Sequence, residues 1–236
     1  MKTILITGAS RRLGFYLTEQ FLAQGDQVLA LTREPSVELT KLDAKNAMLH
    51  VFVLQNYTEA NIDSTLTVIR QKFTKIDLIV HNASAFYKNT EYSSQQFGEF
   101  FQVHMAMPAQ INETLRDHLY DENKPSVIIH ITDIYAENPN KEYVLYCATK
   151  AGLENLTKGY AKKFAPGVRV LSIQPGPIQF MDSHTDEEKA QVMQETLLPS
   201  EGGFQPILLA IKSAIDNPYM TGSCIKVDGG RSLSGR

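Results

Sequence analysis

The chain has 236 residues, of which 43% are hydrophobic and 21% charged, and its formal net charge is −3 at pH 7. A chain of this length can bury roughly 70% of its unfolded surface in one core, so we expect a single domain over residues 1–236. No apolar run reaches the roughly 18 residues of a membrane span, and no basic cluster suits nucleic acid or a membrane surface. These features predict a small molecule as the partner.

The cysteines and histidines show no metal-binding spacing. The two cysteines are Cys147 and Cys224, and the scattered histidines include His50, His118, His130 and His184. The chain starts with Met1–Thr3 and enters an apolar run at once, without the charged and apolar regions of a secretory signal. We therefore expect a reduced, cytoplasmic protein that holds no metal.

Short β-rich runs alternate with longer stretches of helical periodicity, which predicts a parallel sheet wrapped by helices. The predicted strands are Thr3–Thr7, Gln27–Thr32, Ala47–Leu54, Leu78–Asn82, Ser126–Thr132, Arg169–Gln174 and Cys224–Val227. The predicted helices are Arg12–Gln24, Glu59–Thr74, Ser93–Leu119, Val144–Phe164, Asp186–Leu197 and Phe204–Ile215.

Two irregular segments, Ala136–Glu142 and Pro175–Ser200, are rich in Pro, Asn, Asp and Ser. Ligands of such sheets bind beyond the carboxyl ends of the strands, so we expect these segments to form the walls of a pocket. The second one is interpreted as the substrate loop, at about residues 175–200. Its acidic part, Asp182–Glu188, indicates either a solvated helix start or a lid over the pocket.

A glycine-bearing turn, Thr7–Gly14, joins the first strand to the first helix. In such a turn Gly8 would relieve the backbone and Gly14 would let the helix pack close to the strand. The backbone amides of Ser10–Leu13 would then face a pyrophosphate. The alternative is an ordinary tight turn, because one glycine-rich turn is a weak signal.

The run at the end of the second strand, Leu29–Arg33, contains no carboxylate. Enzymes that use NAD usually place an acid there to hold the ribose 2′-hydroxyl. Arg33 and Arg11 could instead make charge-assisted hydrogen bonds to a 2′-phosphate. This favours NADP over the alternative that both arginines are merely solvated.

Tyr146 and Lys150 are four residues apart, so on a helix they share one face. A phenol has a reference pKa of about 10 and does not readily give up its proton at neutral pH. We expect the Lys150 ammonium to lower the pKa of Tyr146, which makes it a general acid, and to anchor a ribose hydroxyl. The alternative is an aromatic core residue beside a surface lysine.

Four separated motifs occur together in one order. They are Thr7-Gly8 with Arg12-Leu13-Gly14, His81-Asn82-Ala83-Ser84, Tyr146 with Lys150, and Pro175-Gly176 followed by Val227-Asp228-Gly229-Gly230. In these motifs the chain resembles the short-chain dehydrogenase/reductase family over nearly its whole length. The resemblance implies a single-domain, Rossmann-type doubly wound parallel sheet of about seven strands with helices on both faces. It also implies hydride transfer from a nicotinamide and a homo-oligomer, either a two-fold-symmetric dimer or a tetramer.

By this resemblance Asn82 and Ala83 would lie against the adenine ribose, and Gly176 and Ile178 against the nicotinamide. The full set expected to bind the cofactor is Gly8, Ser10, Arg11, Arg12, Leu13, Gly14, Arg33, Asn82, Ala83, Ser84, Lys150, Pro175, Gly176 and Ile178.

Three departures from the common family pattern resemble the pteridine reductase branch, and the bacterial dihydromonapterin reductases within it. The middle glycine of the turn is Arg12, the Asn-Asn-Ala-Gly motif is His81–Ser84, and the catalytic serine 13 residues ahead of the tyrosine is Asp133. His104 stands at the family's usual helix asparagine, which leaves open a proton relay through that position.

Asp133 favours a nitrogen heterocycle over a ketone, because a carboxyl group can pair with the amino-pyrimidine edge of a pterin or help to protonate a ring nitrogen. Burial would raise the pKa of Asp133 and Lys150 would lower it, and the sequence leaves this balance open. The alternative for Asp133 is a cap at the start of a turn. Phe86 could stack on a flat pterin, or be an ordinary core residue.

The predicted function is an NADPH-dependent reductase that transfers hydride to the C=N bond of a dihydropterin, giving the tetrahydropterin. The substrate would be of the dihydromonapterin, dihydrobiopterin or dihydrofolate type. Tyr146, Lys150 and Asp133 would be catalytic, and the substrate would contact Phe86, Asp133 and Tyr146. A broad NADPH-dependent carbonyl reductase is the first alternative, and a non-catalytic NADP(H)-sensing protein is the second.

Overall fold

The strands of the described chain form one parallel sheet. The structure, a computed structural model, describes residues 1–88, 91–182 and 184–234. Over these residues the sheet has seven strands in the order β3-β2-β1-β4-β5-β6-β7, and each neighbouring pair is parallel. The strands are β1 (Thr3–Thr7), β2 (Gln27–Thr32), β3 (Leu49–Val53), β4 (Leu78–His81), β5 (Ser126–Ile131), β6 (Val168–Pro175) and β7 (Cys224–Val227).

Helices cover both faces of the sheet. They are α1 (Arg12–Ala23), α2 (Val37–Asp43), α3 (Glu59–Lys72), α4 (Ser94–Phe101), α5 (Met107–Thr114), α6 (Arg116–Leu119), α7 (Val144–Phe164), α8 (Asp186–Gln194) and α9 (Gln205–Asp216). Apolar side chains of α1, α2 and α9 pack on one face, and those of α3, α5, α6 and α7 pack on the other. The predicted Rossmann-type, doubly wound fold is confirmed. Within the described ranges, no helix is both long enough and apolar enough to span a bilayer.

The central strands are continuous apolar runs because helices cover both of their faces. In β1, Ile4 and Ile6 contact the α1 and α9 side, whereas Leu5 contacts the α3 and α7 side. All three side chains are fully buried. Burial of each such side chain contributes about 1.5–3 kcal/mol, so this alternation fixes which residues of each strand face which layer.

The structure differs from the sequence prediction in two helical regions. The helix α2 forms where none is predicted, and the Ser36 side chain caps it by accepting a hydrogen bond from the Leu39 amide. The helix predicted over Ser93–Leu119 is divided by a π-helical turn at Gln102–Ala106. Pro108 follows this turn and has no backbone N–H with which to continue the α-helical ladder, which accounts for the interruption.

The strand order reverses between β1 and β4, and the turn after β1 is tightly packed at this point. Gly8 has a φ of +67°, and a Cβ placed on Gly14 would stand 2.1 Å from the Gly8 carbonyl oxygen. The predicted roles of both glycines in the turn are therefore supported by the local geometry. Ligands of doubly wound sheets bind at such a reversal, beyond the carboxyl ends of the strands.

We expect Gly14→Ala to lower the free energy of unfolding by about 1–3 kcal/mol, because the backbone must move to admit the methyl group. The matched control is Gly159→Ala in α7, where nothing lies within 4 Å of an added Cβ. There the better helix propensity of alanine should stabilise the protein by up to about 1 kcal/mol. Denaturant unfolding of both variants measures the two effects, and equal effects would contradict the close packing at Gly14.

Candidate active site

A cleft of about 1690 Å³ lies at the carboxyl ends of the central strands. The predicted site residues that line it are Gly8, Ser10, Arg11, Arg12, Leu13, Arg33, Asn82, Ala83, Ser84, Phe86, Asp133, Tyr146, Lys150, Pro175, Gly176 and Ile178. Gly14 does not line the cleft and instead lies beneath the turn, against the Gly8 carbonyl. The tertiary structure therefore gathers residues from the whole length of the chain in one place.

The turn after β1 is tied to its neighbours by side-chain hydrogen bonds. The Ser10 hydroxyl donates to the Glu34 carbonyl at 2.7 Å and accepts from the Ser36 amide at 2.7 Å. Asn82 Nδ2 donates to the carbonyl oxygens of Thr7 and Gly8, at 3.2 and 3.1 Å. These bonds leave the start of α1, whose N-cap has no side-chain partner, facing the cleft.

The two arginines predicted to bind a 2′-phosphate both line the cleft near the end of β2. Arg33 lies over the Tyr57 ring, with its guanidinium carbon 5.5 Å from the ring centroid. Arg11 faces the carboxylate of Glu34 at 3.9 Å, one residue beyond the run that lacks acids in the sequence. Both side chains of this ion pair are more than two-thirds exposed, so it contributes only about 0–1 kcal/mol and leaves Arg11 available to a stronger anion.

Tyr146 and Asp133 are directly hydrogen-bonded at the floor of the cleft. The Tyr146 hydroxyl donates to Asp133 Oδ2 at 2.7 Å, and the Tyr135 amide donates to Asp133 Oδ1 at 2.8 Å. Lys150 reaches the same region from the next turn of α7, where its Nζ donates to the Ile131 carbonyl at 2.9 Å. The three predicted catalytic residues are thus adjacent, with one hydroxyl, one carboxyl and one amine available to a ligand.

Burial decides the pKa values of these groups. It raises the pKa of Asp133 despite the opposing effects of the Tyr135 amide, the Tyr146 hydroxyl and the Lys150 charge, which settles the balance that the sequence left open. Burial also lowers the pKa of Lys150 to about 8, against the attraction of Asp133 and Glu154. Lys150 therefore remains mainly cationic at neutral pH.

The expectation that Lys150 lowers the pKa of Tyr146 is wrong for this structure. Burial raises that pKa well above 10, and the charge of Asp133 and its hydrogen bond raise it further. Lys150 Nζ is 5.6 Å from the Tyr146 ring centroid and donates to a backbone carbonyl rather than to the phenol oxygen. Tyr146 is consequently a protonated hydrogen-bond donor over the physiological pH range.

Aromatic rings form the wall beside Tyr146. Phe86 stacks on Tyr143, with centroids 4.6 Å apart and planes inclined by 7°, and meets the Tyr146 ring edge-on at 5.0 Å. One face of Phe86 is therefore already covered by a protein ring. Tyr143 also lines the cleft. The sequence indicates this only through the position of Tyr143, three residues before Tyr146.

The sequence predicts Arg12 only as a cofactor-binding residue, and it does not predict the polar contacts that close the outer wall. Arg12, at a φ of +49°, donates to the carbonyl oxygens of Gln179 and Phe180 in the predicted substrate loop. Arg231 pairs with Glu195 at 2.8 Å. No local sequence motif predicts such contacts, because they join segments that are distant in sequence.

Lys88 joins two further parts of this wall, because it contacts Glu142 at 2.9 Å and Glu188 at 3.2 Å. Glu188 also forms a capping box with Thr185 at the start of α8. This agrees with the interpretation of the acidic run as a helix start. The acidic run and the predicted substrate loop both include Ser183, which lies outside the described residues, and the lid stays a prediction. Residues 1–88, 91–182 and 184–234 contain no group of three or more potential metal-ligating side chains.

Comparison with known proteins identifies the family. A family model described as short chain dehydrogenase matches residues 2–191. The chain belongs to the short-chain dehydrogenase family. The family predicted from the four motifs is thereby confirmed.

Several relatives of this short-chain dehydrogenase are named dihydromonapterin reductase. A dihydromonapterin reductase of Klebsiella pneumoniae subsp. pneumoniae is 32% identical over 238 residues, which cover 98% of this chain and 97% of that protein. A dihydromonapterin reductase of Enterobacter sp. is 29% identical, with coverage of 99% and 98%. Among solved structures, the FolM alternative dihydrofolate reductase 1 of Brucella canis, complexed with NADP, has a TM-score of 0.87 at 23% identity, with coverage of 98% and 94%. This last similarity supports the fold.

The geometry of the Tyr146–Asp133 pair predicts how it titrates. In Asp133→Asn the pKa of Tyr146 should fall, because the carboxylate that opposes the phenolate is gone, while burial still holds that pKa above its ordinary value. An ultraviolet titration should show a phenolate at lower pH than in the wild type. The double variant Asp133→Asn/Tyr146→Phe is the control and should lack this phenolate. Identical titrations of the wild type and Asp133→Asn would contradict the hydrogen bond.

Proposed function

We propose that this short-chain dehydrogenase is an NADPH-dependent reductase that transfers hydride to the C=N bond of a dihydropterin and yields the tetrahydropterin. The observation that carries the proposal is the 2.7 Å hydrogen bond between Tyr146 and a partly buried acid, Asp133, in the main cleft. The names of the relatives that match nearly the whole chain support the same reaction. Reduction of C=N needs a hydride on carbon and a proton on nitrogen, and this pair can provide the proton.

The residues of the cleft fit NADPH. Because residue 8 is glycine, the backbone of the turn packs directly against the neighbouring loop. A Cβ at this position would lie only 2.8 Å from Ala83 Cα. The pyrophosphate would bind at the start of α1, and Arg11 and Arg33 would bind the 2′-phosphate. The other proposed cofactor-binding residues are those predicted from the sequence, with Gly14 acting from beneath the turn. When bound, the nicotinamide supplies the hydride.

The three proposed catalytic residues have different roles in binding the substrate and supplying the proton. Asp133 would orient the pterin through its amino-pyrimidine edge, and its raised pKa allows it to hold a proton as well. Tyr146 would supply or relay the proton to the ring nitrogen, since its hydroxyl stays protonated and already has Asp133 as a partner. Lys150 would hold the ribose with its buried charge. Phe86 would contact the pterin with the part of its ring that Tyr143 leaves uncovered.

We also propose that the protein is a cytoplasmic homo-oligomer. Two aromatic side chains of α4, Phe97 and Phe101, are 37% and 48% exposed, and exposed apolar groups close together on one helix are typical of association surfaces. The free cysteines Cys147 and Cys224 suit a reducing compartment.

The reaction is tested by following NADPH oxidation with dihydropterins, dihydrofolate and simple ketones in parallel. We expect turnover with the dihydropterins, and Tyr146→Phe should lose at least about 100-fold in kcat because the proton donor is removed. Tyr219→Phe, which changes an exposed tyrosine that does not line the cleft, is the control and should leave kcat unchanged. Full activity of Tyr146→Phe would refute the assigned role.

Asp133→Ser distinguishes a pterin reductase from a carbonyl reductase. A hydroxyl suits a ketone oxygen but cannot pair with the amino-pyrimidine edge, so KM for a dihydropterin should rise at least about 10-fold when this charged contact is lost. Ketone reduction should be unchanged or improved. Greater loss with ketones than with pterins would favour the carbonyl reductase.

The affinity for NADPH should fall as the pH rises through about 8, because Lys150 loses its charge there. The pKa of Lys150 lies below its ordinary value, so the cation predominates below about pH 8 and is lost as the pH rises through that value. The dissociation constant, measured by fluorescence across this range, should rise with pH in the wild type and stay flat in Lys150→Met. Lys162→Met, at an exposed position of the same helix, should retain the wild-type profile.

A further inference from the structure

His104 connects the loop after β4 to the helix that carries Tyr146. It lies in the π-helical turn and is 1% exposed. Its Nε2 is 2.8 Å from the Ser84 hydroxyl, and its Nδ1 is 2.8 Å from the Thr149 hydroxyl. Both ring nitrogens are therefore engaged, one on each side of the cleft floor.

The hydrogen bonds around His104 favour the tautomer that is protonated at Nδ1. The Thr149 hydroxyl donates to the Tyr146 carbonyl at 2.9 Å, which leaves its oxygen placed to accept from Nδ1–H at 2.8 Å. Independently, the Ala85 amide, which can only donate, points at Nε2 from 3.4 Å. The Ser84 hydroxyl, 2.8 Å from Nε2, then donates to this nitrogen in preference to the Ala85 carbonyl, which lies farther away at 3.3 Å.

The imidazole is held neutral and fixed in orientation. Burial holds the pKa of His104 well below 6.5, and the charge of Lys150 adds to this effect. The ring lies parallel to Phe100 at a centroid distance of 5.8 Å and meets the Tyr146 ring edge-on at 5.4 Å. Neither nitrogen is free to pass a proton between the cleft and Lys150.

We propose that His104 is a positioning residue, whose neutral Nδ1–H imidazole ties Ser84 to Thr149 and so sets the spacing between the cofactor wall and the Tyr146 phenol. Ser84 belongs to the segment proposed to line the cofactor, and Thr149 is bonded to the backbone of Tyr146 itself. A change in this tie, meaning the hydrogen bonds of His104 to Ser84 and Thr149, would move the nicotinamide that donates hydride relative to the Tyr146 phenol that donates the proton. The inference rests on the proposed function for its kinetic readout, but the tautomer does not.

The kinetic test compares His104→Phe with His104→Asn. Phenylalanine keeps an aromatic ring for packing but removes both hydrogen bonds, and kcat for a dihydropterin should fall about 10-fold with little change in KM, because misplacement of reacting groups acts on turnover. Asparagine keeps one donor and one acceptor and should recover most of kcat. His118→Asn, at a partly buried histidine of α6 that does not line the cleft, is the control and should match the wild type. Wild-type kcat in His104→Phe, or equal losses in Phe and Asn, would overturn the proposal.

Two further variants keep the imidazole and remove one bond each, so that the test does not depend on the folding of His104→Phe. Thr149→Val and Ser84→Ala should each lower kcat about 3-fold, and combining either with His104→Phe should add nothing, since the tie is already absent. Additive losses would show that these residues act independently of His104 and would overturn the proposal.

The tautomer is tested by 15N NMR of the histidine side chains at pH 7, with His104 assigned from the signal missing in His104→Asn. A neutral ring protonated at Nδ1 supports the tie, whereas Nε2–H or an imidazolium overturns it. If the wild type reduced no dihydropterin, the proposed function would fail. The tie would then be judged by this spectrum and by the dissociation constant for NADPH, which Thr149→Val should raise.

Discussion

The close contact between the ends of β1 and β4 is the constraint on which the rest of this structure depends. Asn82 donates to two carbonyl oxygens of the turn after β1, and the Thr7 hydroxyl accepts from the amides of Asn82 and Ala83. These bonds join the two strands between which the order reverses, so the crevice beyond them keeps its shape. A side chain at Gly8 or Gly14 would occupy the space that these contacts require.

The chemistry of the cleft follows from burying ionisable groups close together. Tyr146, Asp133 and Lys150 each have a pKa shifted toward the neutral form. For Asp133 and Lys150 burial outweighs neighbouring groups that favour the charged form, whereas for Tyr146 burial and the neighbouring Asp133 both oppose ionisation. Glu154 lies one turn beyond Lys150 and accepts hydrogen bonds from Ser172 and other buried side chains, so a buried carboxylate partly compensates for the lysine. The Tyr146 phenol, the Asp133 carboxyl group and the Lys150 amine are therefore held together at fixed positions in the cleft.

Parts of the site could be read from the sequence because they depend on short spacings. The four-residue interval of Tyr146 and Lys150 predicts a shared helix face, and the glycines of the first turn predict a close approach of backbone. The direction of the Tyr146 shift could not be predicted in this way. It depends first on how deeply the phenol is buried and then on the hydrogen bond that its oxygen makes with Asp133, and the spacing of residues shows neither.

Other features had local signals whose consequence was not evident. Pro108 was visible in the predicted long helix, yet the π-helical turn and the inward placement of His104 follow from how the backbone adjusts to the missing N–H. Arg231 and Lys88 carried no signal, because their partners lie 36 to 100 residues away in sequence. The contacts of these residues form only when folding brings the distant loops together.

Sequence alone determined the alternation of strands and helices, the parallel sheet, the close-packed glycine-bearing turn and the family, because these depend on periodicity and on residues close together in the chain. Only the tertiary structure decided the direction of the pKa shifts of Tyr146 and Asp133, the hydrogen-bond partners of His104 and the ion pairs of the outer wall. Those properties depend on desolvation and on contacts between distant segments, and both quantities exist only after the chain has folded.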